Sequence, residues 1–317
     1  MIKIGVSDCD HGALEQEKAV FAAAGYEMIL HQCRSEDDLI EQMKEYSVVA
    51  NQYAPFTARV FEQLPKLKCI VRYGVGVDHI DIEAAAGFGV KVCNVPDYGV
   101  QEVASHAAAM MFALCRKLIP MNTSVKGGEW KYELSIPVCR FSDMTIGVIG
   151  IGRIGKEFAH IVNNLGARIV AVDPLYNEGS SRRVPDGVEM LEMDELLRIA
   201  DVVSIHAPLD DNKNLIGEAE LKKMKESAVL INVSRGGIIN EEALERALRE
   251  KWIAGAACDV LVKEPPGTAH PLFAFDNFIC TPHMAWYSQQ ASNDLKRKVA
   301  EEIVRFLKQE PLQNALN

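Results

Sequence analysis

Apolar residues along this chain fall in short blocks, separated by longer stretches in which they recur at helical spacing. From Met1 to about Pro96 the blocks are Ile2–Val6, Met28–Leu30, Val48–Asn51, Cys69–Arg72 and Lys91–Asn94. Between them lie the helical stretches Leu14–Ala24, Asp37–Tyr46 and Ile82–Phe88. This alternation predicts βα units feeding a parallel sheet. The rhythm returns later, with strands predicted at Thr145–Ile149, Arg168–Val172, Val202–His206, Val229–Val233, Ala256–Val260 and Phe278–Thr281. Blocks this uniformly apolar belong to a sheet covered on both faces.

Several stretches stand apart from that pattern. Val100–Leu118 is long, Ala-rich and apolar on most faces, so it must be covered on several sides, between domains and at a subunit contact. Met121–Arg140 carries Gly127, Gly128 and Trp130 and reads as irregular. A loop of that length is odd in a compact monomer. It is read as an arm, about 119–140, that reaches across a homodimer with Trp130 as its anchor. Glu241–Lys251 is a charged amphipathic helix with Ala243, Leu244, Ala247 and Leu248 inward. Ser288–Lys308 is a last helix with Leu295, Val299, Ile303, Val304 and Leu307 on one face, placed to return to the first domain. The expected fold class is α/β, with two Rossmann-like domains on parallel sheets. One is a flavodoxin-like substrate-binding domain, discontinuous over 1–98 and 286–317; the other is a nucleotide-binding domain over 99–285.

The first stretch with legible chemistry runs from Thr145 to Asp173. A buried strand leads into Gly150, Gly152 and Gly155 in G-x-G-x-x-G spacing, and Phe158, Ile161, Val162 and Leu165 continue at helical intervals to Gly166. Gly150 permits a tight turn, Gly152 lets backbone approach a pyrophosphate, and Gly155 allows close helix–strand packing. The free N–H groups and dipole at the helix start hold the diphosphate. A second strand delivers Asp173, 18 residues after the last glycine. Its carboxylate accepts from ribose hydroxyls and repels a 2′-phosphate, so the expected cofactor is NAD rather than NADP. Neither G-x-G of the first half, Gly74/Gly76 or Gly87/Gly89, is followed by x-x-G, so no second dinucleotide site is expected.

Composition narrows the class. The chain has 317 residues, 48% apolar and 25% charged, enough for two domains with real cores. A net charge of −10 argues against nucleic acid or an anionic membrane as partner, while a local Arg can still hold an anionic substrate. The eight Cys show no C-x-x-C or metal-ligand spacing, and Cys69, Cys93, Cys258 and Cys280 lie in apolar strands. Reduced thiols, no metal and a cytoplasmic location are expected. The N-terminus enters a strand at once, so no secretory signal is expected, and the longest apolar run, Ala107–Cys115, is too short to span a bilayer.

Three residues just past strand ends could carry chemistry, and strand ends are where open α/β sheets bind ligands. Arg235 ends I-N-V-S-R-G-G, poised for bidentate contact with a carboxylate, though surface arginines also occupy such turns. Glu264 lies in D-V-L-V-K-E-P-P, held by two prolines; taken alone it reads as a solvated carboxylate rather than a site residue. His283 lies in C-T-P-H-M-A-W, at the mouth of the sheet. The other histidines, His11, His31, His79, His106, His160 and His270, read as surface or core, and His206 of H-A-P-L as lining the cofactor without doing chemistry.

Taken together, the Gly loop with Asp173, then S-R-G-G, D-V-x-x-x-E-P and T-P-H-x-A resemble the D-isomer-specific 2-hydroxyacid dehydrogenases. V-R-Y-G-V-G-V-D-H-I-D and V-x-N-V-P are similar to that family's substrate loop and domain junction, so the likeness covers nearly the whole chain. The resemblance implies NAD-dependent interconversion of a small D-2-hydroxy acid and its 2-oxo acid. It assigns Arg235 to the substrate carboxylate and carbonyl oxygen, His283 to the proton and Glu264 to pairing with His283. Gly74, Val75 and Gly76 would offer N–H groups to the carboxylate; Arg153 and Ile154 would cover the pyrophosphate, Ala207 and Pro208 the adenine side. Val233, Ser234 and Asp259 would flank the nicotinamide, and Tyr53, Tyr73 and Trp286 would shape the side-chain pocket. Two departures stand out: Ser105 replaces the Glu of a frequent V-A-E-H, and Val75 replaces a hydroxyl found in some phosphoglycerate dehydrogenases.

Two other readings stay open. An NAD-sensing corepressor of the same fold shares these motifs, although long terminal tails are not expected here. A phosphorylated acid, or phosphite, would want extra cations near Gly74–Gly76 or Asn51–Thr57; N-Q-Y-A-P-F-T has no Lys or Arg before Arg59, and Arg72 points either to the loop or into the sheet, so a small unphosphorylated acid is expected.

Overall fold

β-Branched and apolar blocks form strands wherever the pattern placed them, and they sort into two wholly parallel sheets. The computed structural model describes residues 2–176 and 181–317, which divide into two units, Met1–Gly99 with Ser288–Asn317, and Val100–Tyr287.

In the first unit the strands are β1 (Lys3–Val6), β2 (Glu27–Leu30), β3 (Val48–Asn51), β4 (Cys69–Arg72) and β5 (Lys91–Cys93), in the order β2-β1-β3-β4-β5. The order reverses between β1 and β3, which sets a crevice at the carboxyl ends of those strands. Central β3 is buried throughout, whereas edge strand β2 is half-buried or exposed. Leu39, Met43, Phe56, Phe61, Ile70 and Val92 form its main core. The helix Gln289–Leu307 belongs to this unit and packs on the helix Glu15–Ala23, on β3 and on β4. Ser288 caps it, its Oγ accepting the Ala291 N–H at 2.9 Å. Leu295, Val299 and Ile303 are buried, while Val304 and Leu307 stay half-buried.

In the second unit the strands are β6 (Thr145–Ile149), β7 (Arg168–Val172), β8 (Val188–Met190), β9 (Val202–Ile205), β10 (Val229–Asn232), β11 (Gly255–Cys258) and β12 (Phe278–Cys280), in the order β12-β11-β10-β9-β6-β7-β8. Strand β8, a short half-buried edge, has no counterpart in the expected set. Successive residues of the central strands feed opposite faces. Val203, Ile205 and Leu230 join Leu196, Leu197, Leu244 and Leu248 on one face. Ile146, Val148 and Ile231 join Met111, Phe158 and Val162 on the other. The Ala-rich helix, Val100–Cys115, packs on the helix Arg153–Asn163 and on β10 and β11. The switch of direction in this sheet lies between β6 and β9, so its crevice opens at Gly150 and His206.

The stretch read as irregular is partly helical. Leu118–Lys126 forms a helix that starts after a left-handed Lys117 (φ 51°), followed by short 3-10 turns at Tyr132–Ser135 and Phe141–Asp143. No residue of that helix is buried, so no periodic apolar face marks it in the sequence. Among the described residues no helix is long and apolar enough to cross a membrane.

Candidate active site

Adjacent strands β10, β11 and β12 deliver Arg235, Glu264 and His283 to one end of the second sheet. Each delivery is fixed by a polar residue where its strand ends. After β10, buried Asn232 accepts the Ser234 N–H at 3.0 Å and donates to the Arg235 carbonyl at 2.8 Å, which closes the S-R-G-G turn. The Ser234 hydroxyl ties this turn to β9 through the Ile205 carbonyl, at 2.9 Å. Gly236 is required by close approach: a Cβ there would lie 2.0 Å from the Leu261 carbonyl oxygen. The Arg235 turn therefore rests directly on the loop that carries Glu264.

That loop is closed from within. The Leu261 N–H donates to Glu264 Oε1 at 2.9 Å, and Glu264 Oε2 faces His283 Nδ1 at 2.6 Å. Burial pushes the Glu264 carboxyl up, but the His283 hydrogen bond and charge, the Leu261 N–H and the Arg235 charge outweigh it. The group sits below the usual carboxylate value. A carboxylate at Oε2 accepts, so Nδ1 carries a hydrogen and Nε2 is the nitrogen left for a reactant. Among the described residues Nε2 has no partner, and the His283 side chain is 33% exposed.

The third clamp is Asp259, 1% exposed at the end of β11. Its carbonyl accepts the His283 N–H at 2.8 Å, and its carboxylate accepts the N–H groups of Met284 at 2.9 Å and Ala285 at 2.8 Å. Together they hold His283 in a left-handed conformation, φ 51°, that a non-glycine residue adopts only when its surroundings impose it. Trp286 follows, half-buried and edge-on to Tyr287.

At the β6–β9 crevice the glycine loop suits a dinucleotide. A Cβ on Gly155 would meet the Gly150 carbonyl oxygen at 2.0 Å, so the helix can sit this close to β6 only with glycine there. Above Gly152 a Cβ would meet nothing within 4 Å, leaving its backbone open to a diphosphate. The helix begins at Arg153 without a side-chain cap, so its first N–H groups, at Arg153 and Ile154, are available to an anion. Asp173 accepts the Ile151 N–H on Oδ2 and the Leu175 N–H on Oδ1, both at 2.9 Å, and each oxygen keeps a lone pair for a ribose hydroxyl. Tyr176, unmarked in the sequence, stands beside this loop with Lys156 5.5 Å above its ring. Val233 is buried, Ala207 half-buried and Pro208 exposed. The imidazole of His206 turns into the core against Phe158, its Nε2 2.9 Å from the Ser204 hydroxyl, so only its backbone faces the loop.

The first unit presents its own anion feature. The Gly74 carbonyl accepts the Val95 N–H at 2.9 Å, and the Val75 carbonyl accepts the Asn94 side-chain amide at 2.7 Å. Fixing both carbonyls on the β5 side turns the next two N–H groups, of Val75 and Gly76, the opposite way. The Gly74 N–H is spent on the Arg72 carbonyl, at 3.0 Å, and so drops out of the expected set of donors. Asn94 was legible only as part of V-C-N-V-P; its orienting role needed the fold. Arg72 does not point into the sheet: its Nη1 lies where a Gly74 Cβ would be, and its guanidinium sits 5.9 Å from the centre of the exposed Tyr53 ring. Beneath them, buried Asp8 accepts the N–H groups of Gln52 and Tyr53 at 3.2 and 2.6 Å, and Asn51 bridges it to His79.

Comparison with known proteins finds a matching family and several relatives. The model of the D-isomer specific 2-hydroxyacid dehydrogenase NAD binding domain matches residues 108–285. A D-3-phosphoglycerate dehydrogenase of Archaeoglobus fulgidus is 36% identical over 92% of this chain, which spans 55% of that relative's length. A glyoxylate reductase of Korarchaeum cryptofilum is 34% identical over 88% of this chain and 85% of its own. Among solved structures, an acyclic imino acid reductase in complex with NADPH and D-Arg aligns over the whole of both chains, with a TM-score of 0.89 at 27% identity.

Proposed function

The chain belongs to the D-isomer specific 2-hydroxyacid dehydrogenase family, and on that premise we propose that it interconverts a small, unphosphorylated 2-oxo acid and its D-2-hydroxy acid. The observation that carries this reading is the Glu264–His283 pair at 2.6 Å, with the Arg235 turn resting on the same loop. When bound, NADH supplies the hydride to the 2-oxo carbon. His283, protonated, gives its Nε2 proton to the forming alkoxide and takes it back in the oxidation direction. Glu264 holds the ring by Nδ1 and orients Nε2 towards the reactant. Arg235 binds the substrate carboxylate and stabilises the developing oxyanion. The same reading assigns the Val75 and Gly76 N–H groups to a carboxylate oxygen. We assign the exposed apolar arm to a contact with a second copy of the chain.

A phosphorylated acid is the second reading, favoured by the guanidinium of Arg72 against Gly74. NADH consumption against a panel of 2-oxo acids, one arm of it phosphorylated, tests both. Turnover of small unphosphorylated acids, lost by orders of magnitude in Arg235→Ala, is expected, since a desolvated charge pair is worth about 2–5 kcal/mol. Higher kcat/KM for the phosphorylated acid would favour the second reading. NADH binding with no turnover of any acid would point to a sensor of the same fold.

A further inference from the structure

Asp259 is a buried carboxylate, and such a group is costly unless hydrogen bonds satisfy it. Two of its donors are the backbone N–H groups of Met284 and Ala285. Among the described residues the remaining hydrogen-bond donor is the hydroxyl of Thr281, 2.5 Å from Oδ1. A threonine hydroxyl has a single proton, and here the carboxylate takes it. Its oxygen can then only accept from its next neighbour, which is Nε2 of His106 at 3.0 Å. His106 lies on the helix Val100–Cys115 and Thr281 follows β12, 175 residues away in sequence. Nε2 therefore carries a hydrogen, and donation runs in one direction, from His106 to Thr281 to Asp259. Each bond in such a chain polarises the next.

We propose that His106 is a positioning residue for the reaction, completing through Thr281 the Asp259 clamp that holds His283 in its left-handed turn. The proposal rests on the acid–base reading of His283. The clamp grips the turn on both sides: Thr281 lies two residues before His283, and the gripped amides of Met284 and Ala285 follow it. Without the His106 donor, Thr281 can rotate its hydroxyl away, and Asp259 loses its hold ahead of His283. The ring then spends less time in the reactive orientation, which lowers kcat without touching the glycine loop.

Gln and Asn at position 106 separate this role from simple packing. Glutamine places its amide N–H where Nε2 stood; asparagine is one methylene too short. His106→Gln should keep kcat for NADH-dependent reduction within about twofold of the wild type, and His106→Asn should lose about tenfold, the size of one hydrogen bond. KM and Kd for NADH should stay unchanged in both. Thr281→Val should lose as much as His106→Asn, and the double variant no more than either alone. A readout independent of activity is amide hydrogen exchange at Met284 and Ala285, faster in His106→Asn and unchanged in His106→Gln. Equal kcat and exchange in the Gln and Asn variants, or additive losses in the double variant, would overturn the clamp. Full activity in His283→Ala would instead sink the acid–base reading, and the exchange experiment would still decide the clamp.

Discussion

Glu264 spends one oxygen on its own loop and the other on His283, so it both shapes the turn and orients the ring. Glu264→Gln keeps the size of the side chain but replaces the charge-assisted bond to Nδ1 with a neutral one. If the pair carries the proposed chemistry, the variant should lose about tenfold in kcat/KM for NADH-dependent reduction, with Kd for NADH unchanged. Steady-state kinetics with a cofactor titration check this, and wild-type kcat/KM would separate Glu264 from the chemistry. Two other histidines govern acid stability. Burial lowers His206 to about 3 and His11 to about 4, against 6.5 when exposed. Their contribution is complete above pH 6.5 and is lost as pH falls towards those values, because the unfolded chain takes up protons first. At pH 5 each ring should cost about 2 kcal/mol, and His206→Gln should flatten the fall in melting temperature over pH 6.5–5. Arg235, Glu264 and His283 were legible because each stands just past an apolar strand beside Gly or Pro. Asn232, Asn94 and His106 were not, since their partners are backbone groups or lie far along the chain.

At the scale of elements, periodicity located the strands and the helices that bury one face, such as Glu241–Arg249 with Ala243, Leu244, Ala247 and Leu248 inside. It failed where no face is buried. The helix Leu118–Lys126 was invisible for that reason, and the short helix Met193–Ile199, only two of whose residues are buried, gave too little pattern. The unburied arm is itself informative. Trp130, Tyr132 and Ile136 are 87%, 75% and 61% exposed, an apolar load that a partner surface would cover. If the arm contacts a second copy, Trp130→Asp should shift the protein from dimer to monomer in light scattering after size exclusion. An unchanged mass, or a wild type already monomeric, would remove that role.

For the whole molecule, the polar ends of two parallel sheets explain more than their cores do. In each unit the strand order reverses once, between β1 and β3 and between β6 and β9, and polar groups gather at those carboxyl ends. The glycine spacing and Asp173 were readable from sequence because they must follow a strand and open a helix. The substrate was not, because Arg72 and Tyr53, 19 residues apart in sequence, meet only through the fold. The central claim is hydride transfer to the 2-oxo carbon with D stereochemistry, and isotope labelling reaches it in one measurement. The wild-type protein, given NADH deuterated at the transferable C4 position and a small 2-oxo acid, should yield the D-2-hydroxy acid with deuterium at C2. An L product, a product without label at C2, or no product from any 2-oxo acid would contradict it.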